Sequence, residues 1–139
     1  MKERLRERDK TRGKRVGLSP TVESSGSTDH ERPVFTLHHL GSKDHCVSSC
    51  EAQEQAQVAL ALEKRAQFSW GQLRQMGRKE LGYETISRDS LKAAVPSYFT
   101  DDETPISFRM ANHGRIIGFR QDEVFHIVWI DVKFELYSH

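Results

Sequence analysis

The chain has 139 residues, a length that fits one hydrophobic core rather than two. Its composition, 36% hydrophobic and 29% charged residues, is that of a globular protein and excludes a fibrous one. No apolar run approaches the roughly 18 residues that a membrane span requires, and no apolar stretch follows the charged first residues, so we expect a cytoplasmic protein that does not contact membranes.

The chain begins with a basic arm. Residues 1–15 hold eight basic and three acidic side chains, a net charge of +5, which leaves −4 for the rest of the chain. Residues 16–32 are rich in Ser, Thr, Gly and Pro, and they contain too little apolar surface to offset the entropy lost on ordering. We therefore predict a disordered arm and linker over 1–32 and a single domain over 33–139. The arm suits contacts to phosphate, although a solvated tail has the same composition.

The first strand is predicted over 33–40, where β-branched and aromatic residues predominate. His38 and His39 would then point to opposite faces and could not share one ligand. Beyond the two cysteines, a second pair of ligands at zinc-site spacing is missing, so we predict reduced thiols, no metal and no other cofactor. A small metal-dependent enzyme remains an alternative, centred on His38, His45 and Cys46.

Two helices are predicted next. Each follows a capping box, in which a Ser side chain and an acidic or amide side chain satisfy backbone amides of the first turn. The second helix is expected to end in a left-handed glycine, Gly82. The predicted helices are 51–67, opened by Ser48 and Glu51, and 70–81, opened by Ser69 and Gln72.

After a loop over 83–105 with one short helical turn, the pattern changes to strands. Three or four antiparallel strands are predicted, separated by polar breaks of hairpin length. Both alternating sets of residues in 124–130 are largely apolar, which indicates a strand covered on both faces. The fold class is therefore α+β, a small antiparallel sheet of about four strands backed by two N-terminal helices. The strands are 106–110, 115–120, 124–130 and 134–137.

The order of strand, two helices and terminal antiparallel sheet resembles the RelE/YoeB/ParE superfamily of small bacterial toxins. The residues that carry the resemblance are in the last third of the chain: Arg109 within 106–110, Arg115 within 114–119, the segment 124–129, and the end with Tyr137 and His139. The resemblance implies a toxin of a toxin–antitoxin system. Such a protein is an endoribonuclease that cleaves mRNA, commonly on the ribosome, and has an antitoxin protein as its partner.

In that family a ribose 2′-hydroxyl attacks the adjacent phosphate without a metal ion. By resemblance, Arg109 and Arg115 would bind the phosphate and stabilise its developing charge. Tyr137 would stack on a base or orient the phosphate, and His139 would donate or accept a proton. The acidic base that some members carry on a helix would be Glu80 or Glu84.

Each of these roles has a structural alternative. The two arginines would pair with surface acids, Tyr137 would be an edge aromatic residue, and His139 would be a disordered terminus. His126, inside an apolar strand, would be a hydrogen-bonded core histidine. A non-catalytic module of the same fold that binds nucleic acid or protein therefore stays open beside the endoribonuclease. The surface acids are Asp101, Asp102 and Glu103.

Overall fold

Residues 27–41, 44–78 and 80–137 are described by a computed structural model. They confirm the α+β class, with two α-helices and five strands, whereas the first 26 residues of the predicted arm lie outside the described part. None of the described helices is long and apolar enough to cross a bilayer. The elements are β1 (Val34–Thr36), α1 (Ala52–Arg65), α2 (Trp70–Gln75), β2 (Tyr83–Thr85), β3 (Pro105–Arg109), β4 (Arg115–Gln121) and β5 (Val124–Asp131).

The strands form one mixed sheet in the order β1-β5-β4-β3-β2. The pairs between β2, β3, β4 and β5 are antiparallel, but β1 runs parallel to β5. The prediction of about four antiparallel strands was therefore wrong in number and in one direction. The strand β2 is only three residues long, too short for alternation to reveal it. The predicted strand 134–137 contributes only an isolated bridge, between Leu91 and Tyr137.

Both predicted helices are present, and their capping boxes explain where they begin. At α2, Ser69 Oγ accepts from the Gln72 amide at 3.2 Å, and Gln72 Oε1 accepts from the Ser69 amide at 2.9 Å. At α1 the box lies three residues later than predicted, because Glu54 Oε1 accepts from the amide of Glu51 at 2.8 Å. The helix α2 also ends before Gly82, which does not adopt the left-handed conformation predicted for it.

The sheet is covered on both faces, as the apolar character of its central strands predicts. One face packs against α1 and α2 through a core that includes Trp70, Leu73, Phe108 and Phe125. The other face has no α-helix among the described residues and is covered by irregular segments within 86–99 and 134–137. Tyr137 belongs to the core on this second face, and Arg109 and Arg115 pair with each other at the adjoining ends of β3 and β4.

The end of the predicted linker is packed against the domain. The Asp29 carboxylate forms ion pairs with Arg74 and with Arg120, the latter at 2.9 Å. These two guanidinium groups hold the pKa of Asp29 below its usual value. The carbonyl oxygen of Glu31 accepts from the amide of Trp70 at 2.9 Å, so residues 28–31 are anchored ahead of the predicted boundary at residue 33.

Candidate functional site

Arg115 and Tyr137, two of the predicted site residues, both contact Phe134. The Arg115 guanidinium donates to the carbonyl oxygens of His113 and Gly114 at 2.6 and 3.1 Å. It also lies 3.8 Å from the centre of the Phe134 ring, which packs edge-on against the Tyr137 ring at 5.6 Å. Only 6% of Arg115 and 3% of Tyr137 is exposed. Both side chains are therefore closed to solvent and offer no open phosphate site.

The Tyr137 hydroxyl completes a buried polar cluster. It lies 3.1 Å from Glu84 Oε2 and 3.2 Å from Ser107 Oγ. Burial raises the pKa of Tyr137 above its ordinary value, so the phenol stays neutral at pH 7 and keeps a proton to share. Glu84 lies on β2 rather than on a helix and forms an ion pair with Arg78 at 2.8 Å. The Glu84 carboxylate, one of the two candidate acidic bases, is thus engaged by both Tyr137 and Arg78.

Arg109 occupies the last position of β3, directly opposite Arg115 in the sheet. Its carbonyl oxygen accepts from Arg65 Nη2 at 2.9 Å, and its own side chain is half-buried, with no hydrogen bond or ion pair to another described residue. The backbone therefore brings the two predicted arginines side by side, and Arg115 lies against Phe134, the ring that packs on Tyr137. The fourth predicted residue, His139, lies outside the described residues.

A second group of reactive side chains lies toward the other end of the same sheet face. We name it the histidine patch and define it by His38, His39, Tyr98, Phe99 and His126. The His39 ring stacks on Tyr98 with centroids 4.5 Å apart, and it contacts the rings of His38 and His126 at 4.8 and 5.4 Å. Tyr98 is 54% exposed, so the patch is open to solvent.

The contact between His38 and His39 was not predicted from the sequence, because the strand that was expected to carry them is shorter than predicted. The strand β1 ends at Thr36, so His38 and His39 lie in the following turn, where two-residue alternation does not apply. The expectation of a fully satisfied core histidine at 126 was also wrong. His126 is half-buried, and its Nδ1 is buried without a hydrogen-bond partner among the described residues.

Burial shifts the titration of two histidines in the patch. Desolvation lowers the pKa of His126 below its ordinary value, and His39 lowers it further, while Glu103 opposes this change. Desolvation also lowers the pKa of His39, with a contribution from His38. Both imidazoles are therefore mainly neutral at pH 7, the form that can accept a proton.

Polar contacts hold the loop that carries Tyr98 in place. The Tyr98 hydroxyl donates to Gln121 Oε1 at 3.2 Å, and Gln121 Nε2 donates to Glu103 Oε2 at 2.7 Å. Arg88 donates to the carbonyl oxygens of Phe99 and Glu103 at 3.1 and 2.8 Å. Glu103 thus stabilises this loop through Gln121 and Arg88, and it forms no ion pair with Arg109 or Arg115.

The residues of the metal-dependent alternative are not assembled into one site. His38 belongs to the histidine patch, whereas His45 Nε2 lies 3.1 Å from Glu135 Oε2 and Cys46 Sγ lies 3.0 Å from Ser48 Oγ. Cys46 and Cys50 are not joined by a disulfide. Comparisons with family models, curated proteins and solved structures found no match to the chain.

Proposed function

We propose that the protein is a metal-independent endoribonuclease whose reacting groups are the histidines of the histidine patch. The observation that carries this proposal is the contact between two partly exposed imidazoles, His39 and His126, beside the exposed ring of Tyr98. Cleavage by a 2′-hydroxyl needs one group that removes the hydroxyl proton and another that protonates the leaving oxygen. Two histidines can supply both groups without a metal ion.

The aromatic part of the patch suits a nucleobase. The ring of Tyr98 is stacked on His39 and still exposes 54% of the residue. Stacking of a base on such a ring is worth about 1–3 kcal/mol and tolerates any sequence. Single-stranded RNA is the expected substrate, because its bases are free to stack. The basic residues of the first 15 positions would add phosphate contacts.

Arg115 and Tyr137 take a supporting role under this proposal, since both are buried. Their contacts join the C-terminal segment to the sheet, as the bridge between Leu91 and Tyr137 also does. Arg109 remains the more accessible of the two arginines and keeps its proposed role in phosphate binding. A bacterial toxin with an antitoxin partner, acting on mRNA or on the ribosome, remains the biological setting that we propose.

We expect the purified full chain to cleave single-stranded RNA in the presence of a chelator and to leave cyclic phosphate ends. Because a positioned acid or base contributes about 10²–10⁴-fold to the rate, His126→Gln and His39→Gln should each slow cleavage by at least about 100-fold. The control is His113→Gln, which changes an exposed histidine outside the patch. An all-DNA copy of the substrate should remain intact, and unchanged rates in both patch variants would refute the assignment.

The pH dependence of cleavage should be bell-shaped, with its optimum below 6.5, the ordinary histidine pKa. One imidazole must be neutral and the other protonated, and the two interacting rings lose their protons in separate steps. Since the pKa values of His39 and His126 are both lowered, the singly protonated pair is most populated on the acidic side of that value. The measurement is kcat/KM from pH 4.5 to 8. An optimum above pH 7 would contradict the assignment of the acid and the base to His39 and His126.

A non-catalytic RNA-binding module is the second candidate. It is favoured by the burial of Arg115 and Tyr137, the cationic and aromatic pair that the resemblance assigns to the phosphate. The same preparations distinguish the two candidates, because such a module would bind the RNA without cutting it. In that case Tyr98→Ala would weaken binding, while the conservative Tyr98→Phe would retain the stacking surface.

A further inference from the structure

Three side chains from separate parts of the chain meet beyond the end of β5. They are His45, from the segment before α1, Asp131, the last residue of β5, and Glu135. One potential ligand atom from each lies within 4.8 Å of those of the other two. His45 Nε2 is 3.1 Å from Glu135 Oε2, and Asp131 is fully buried. An imidazole and two carboxylates thus converge at one point.

Backbone hydrogen bonds fix this arrangement in advance. The carbonyl oxygen of His45 accepts from the amide of Ile130 at 2.8 Å, which joins the His45 segment to β5. Asp131 Oδ2 accepts from the amides of Glu135 and Leu136 at 3.0 and 2.9 Å. The same carboxylate therefore positions the residue that supplies the third side chain. The Glu135 side chain is the most exposed of the three, at 53%.

We propose that His45, Asp131 and Glu135 bind a divalent transition-metal ion of the Mn²⁺ or Zn²⁺ class. With metal–ligand bonds of about 2.1 Å, neighbouring ligand atoms around an ion are about 3.0–3.4 Å apart. The 3.1 Å separation of His45 Nε2 and Glu135 Oε2 fits this geometry. One imidazole with two carboxylates is a donor set that such ions accept.

The surroundings favour a cation. His45 and Glu135 line a cavity of about 500 Å³ whose walls carry four acidic side chains, one histidine and one lysine. The negative charge of these walls would raise the local concentration of a divalent ion. The open cavity also leaves room for water to complete the coordination. The acidic residues in the walls are Asp44, Glu51, Glu54 and Glu135.

A His–Glu ion pair without an ion is the competing explanation, and the chain contains its own control for it. His30 Nε2 lies 3.4 Å from Glu31 Oε2, and both side chains are exposed, at 77% and 52%. This pair is not part of a three-residue ligand group among the described residues. A site that depends on the buried Asp131 carboxylate should bind an ion at His45 and not at His30.

The test is a titration of the full chain, purified without a histidine tag and freed of metal by a chelator, with Mn²⁺. Free Mn²⁺ is followed by electron paramagnetic resonance, and soft thiolates of Cys46 and Cys50 contribute little to Mn²⁺ binding. We expect one equivalent to bind, and we expect His45→Gln and Glu135→Gln each to raise Kd at least tenfold. His30→Gln should leave Kd unchanged.

Circular dichroism of each variant establishes that it is folded before the titration. No saturable binding to the wild type, or the same Kd in the two triad variants as in His30→Gln, would overturn the proposal. The outcome is independent of the RNA assays, which are performed in a chelator and concern the histidine patch.

Discussion

Gly118→Ala is expected to lower the free energy of unfolding by about 3 kcal/mol, because overpacking a rigid core forces the backbone to move. Gly118 lies in β4 beside a register irregularity and pairs with Ile127 of β5. A Cβ atom on this residue would overlap the carbonyl oxygen of His126 and lie 2.9 Å from its carbonyl carbon. Both are backbone atoms, so no side-chain rotation can relieve the overlap, and the two central strands must separate.

Urea denaturation followed by tryptophan fluorescence measures this effect. Gly77→Ala is the matched control, because a Cβ at Gly77 meets nothing within 4 Å and its φ is not positive. It should keep the wild-type unfolding midpoint or raise it slightly by restricting the unfolded chain. A loss of less than about 1 kcal/mol for Gly118→Ala would show that the close approach of β4 and β5 is not a rigid feature.

Arg115→Ala is expected to destabilise the protein by about 2–4 kcal/mol, while Arg109→Ala costs less than about 1 kcal/mol. The Arg115 guanidinium is buried, and its removal leaves the carbonyl oxygens of His113 and Gly114 without this donor. It also removes the contact with the Phe134 ring, which is 3.8 Å away. The half-buried Arg109 side chain makes no such contact among the described residues, although it faces Arg115 across the strands.

The two variants should be compared by urea denaturation and by growth arrest on expression in bacteria. If the proposed toxin activity exists, Arg115→Ala should lose it together with folded protein. Arg109→Ala should stay folded, so any loss of its activity reports phosphate binding directly. A fully stable Arg115→Ala protein that has lost cleavage would contradict the supporting role and return Arg115 to the catalytic group.

The sequence predicted those elements whose signals are local. The capping pair Ser69 and Gln72 located α2, and the apolar runs located β3, β4 and β5 within about two residues. The parallel pairing of β1 with β5 was missed, because it joins residues about 90 apart and leaves no local pattern. Segment 134–137 was predicted as a strand, since nothing in the sequence shows that the Asp131 carboxylate would accept from the amides of Glu135 and Leu136.

The candidate sites show the same division. The sequence identified Arg115 and Tyr137 as candidate site residues, but a strand pattern with apolar residues on both sides cannot reveal that both are buried. The histidine patch could not be predicted, because Tyr98 reaches His39 from a loop about 60 residues later. The sequence showed only that histidines occur in otherwise apolar segments, and this pattern does not indicate which residues they contact.

The covering of Arg115 and Tyr137 depends on side-chain contacts rather than on a strand ladder. Segment 134–137 is held by the amides that Asp131 accepts, by one bridge to Leu91 and by the hydrogen bonds of the Tyr137 hydroxyl to Glu84 and Ser107. Local opening of this segment would break these contacts and expose the buried Leu136, but it would leave the five paired strands intact. Such an opening would uncover a guanidinium and a phenol that the native packing conceals.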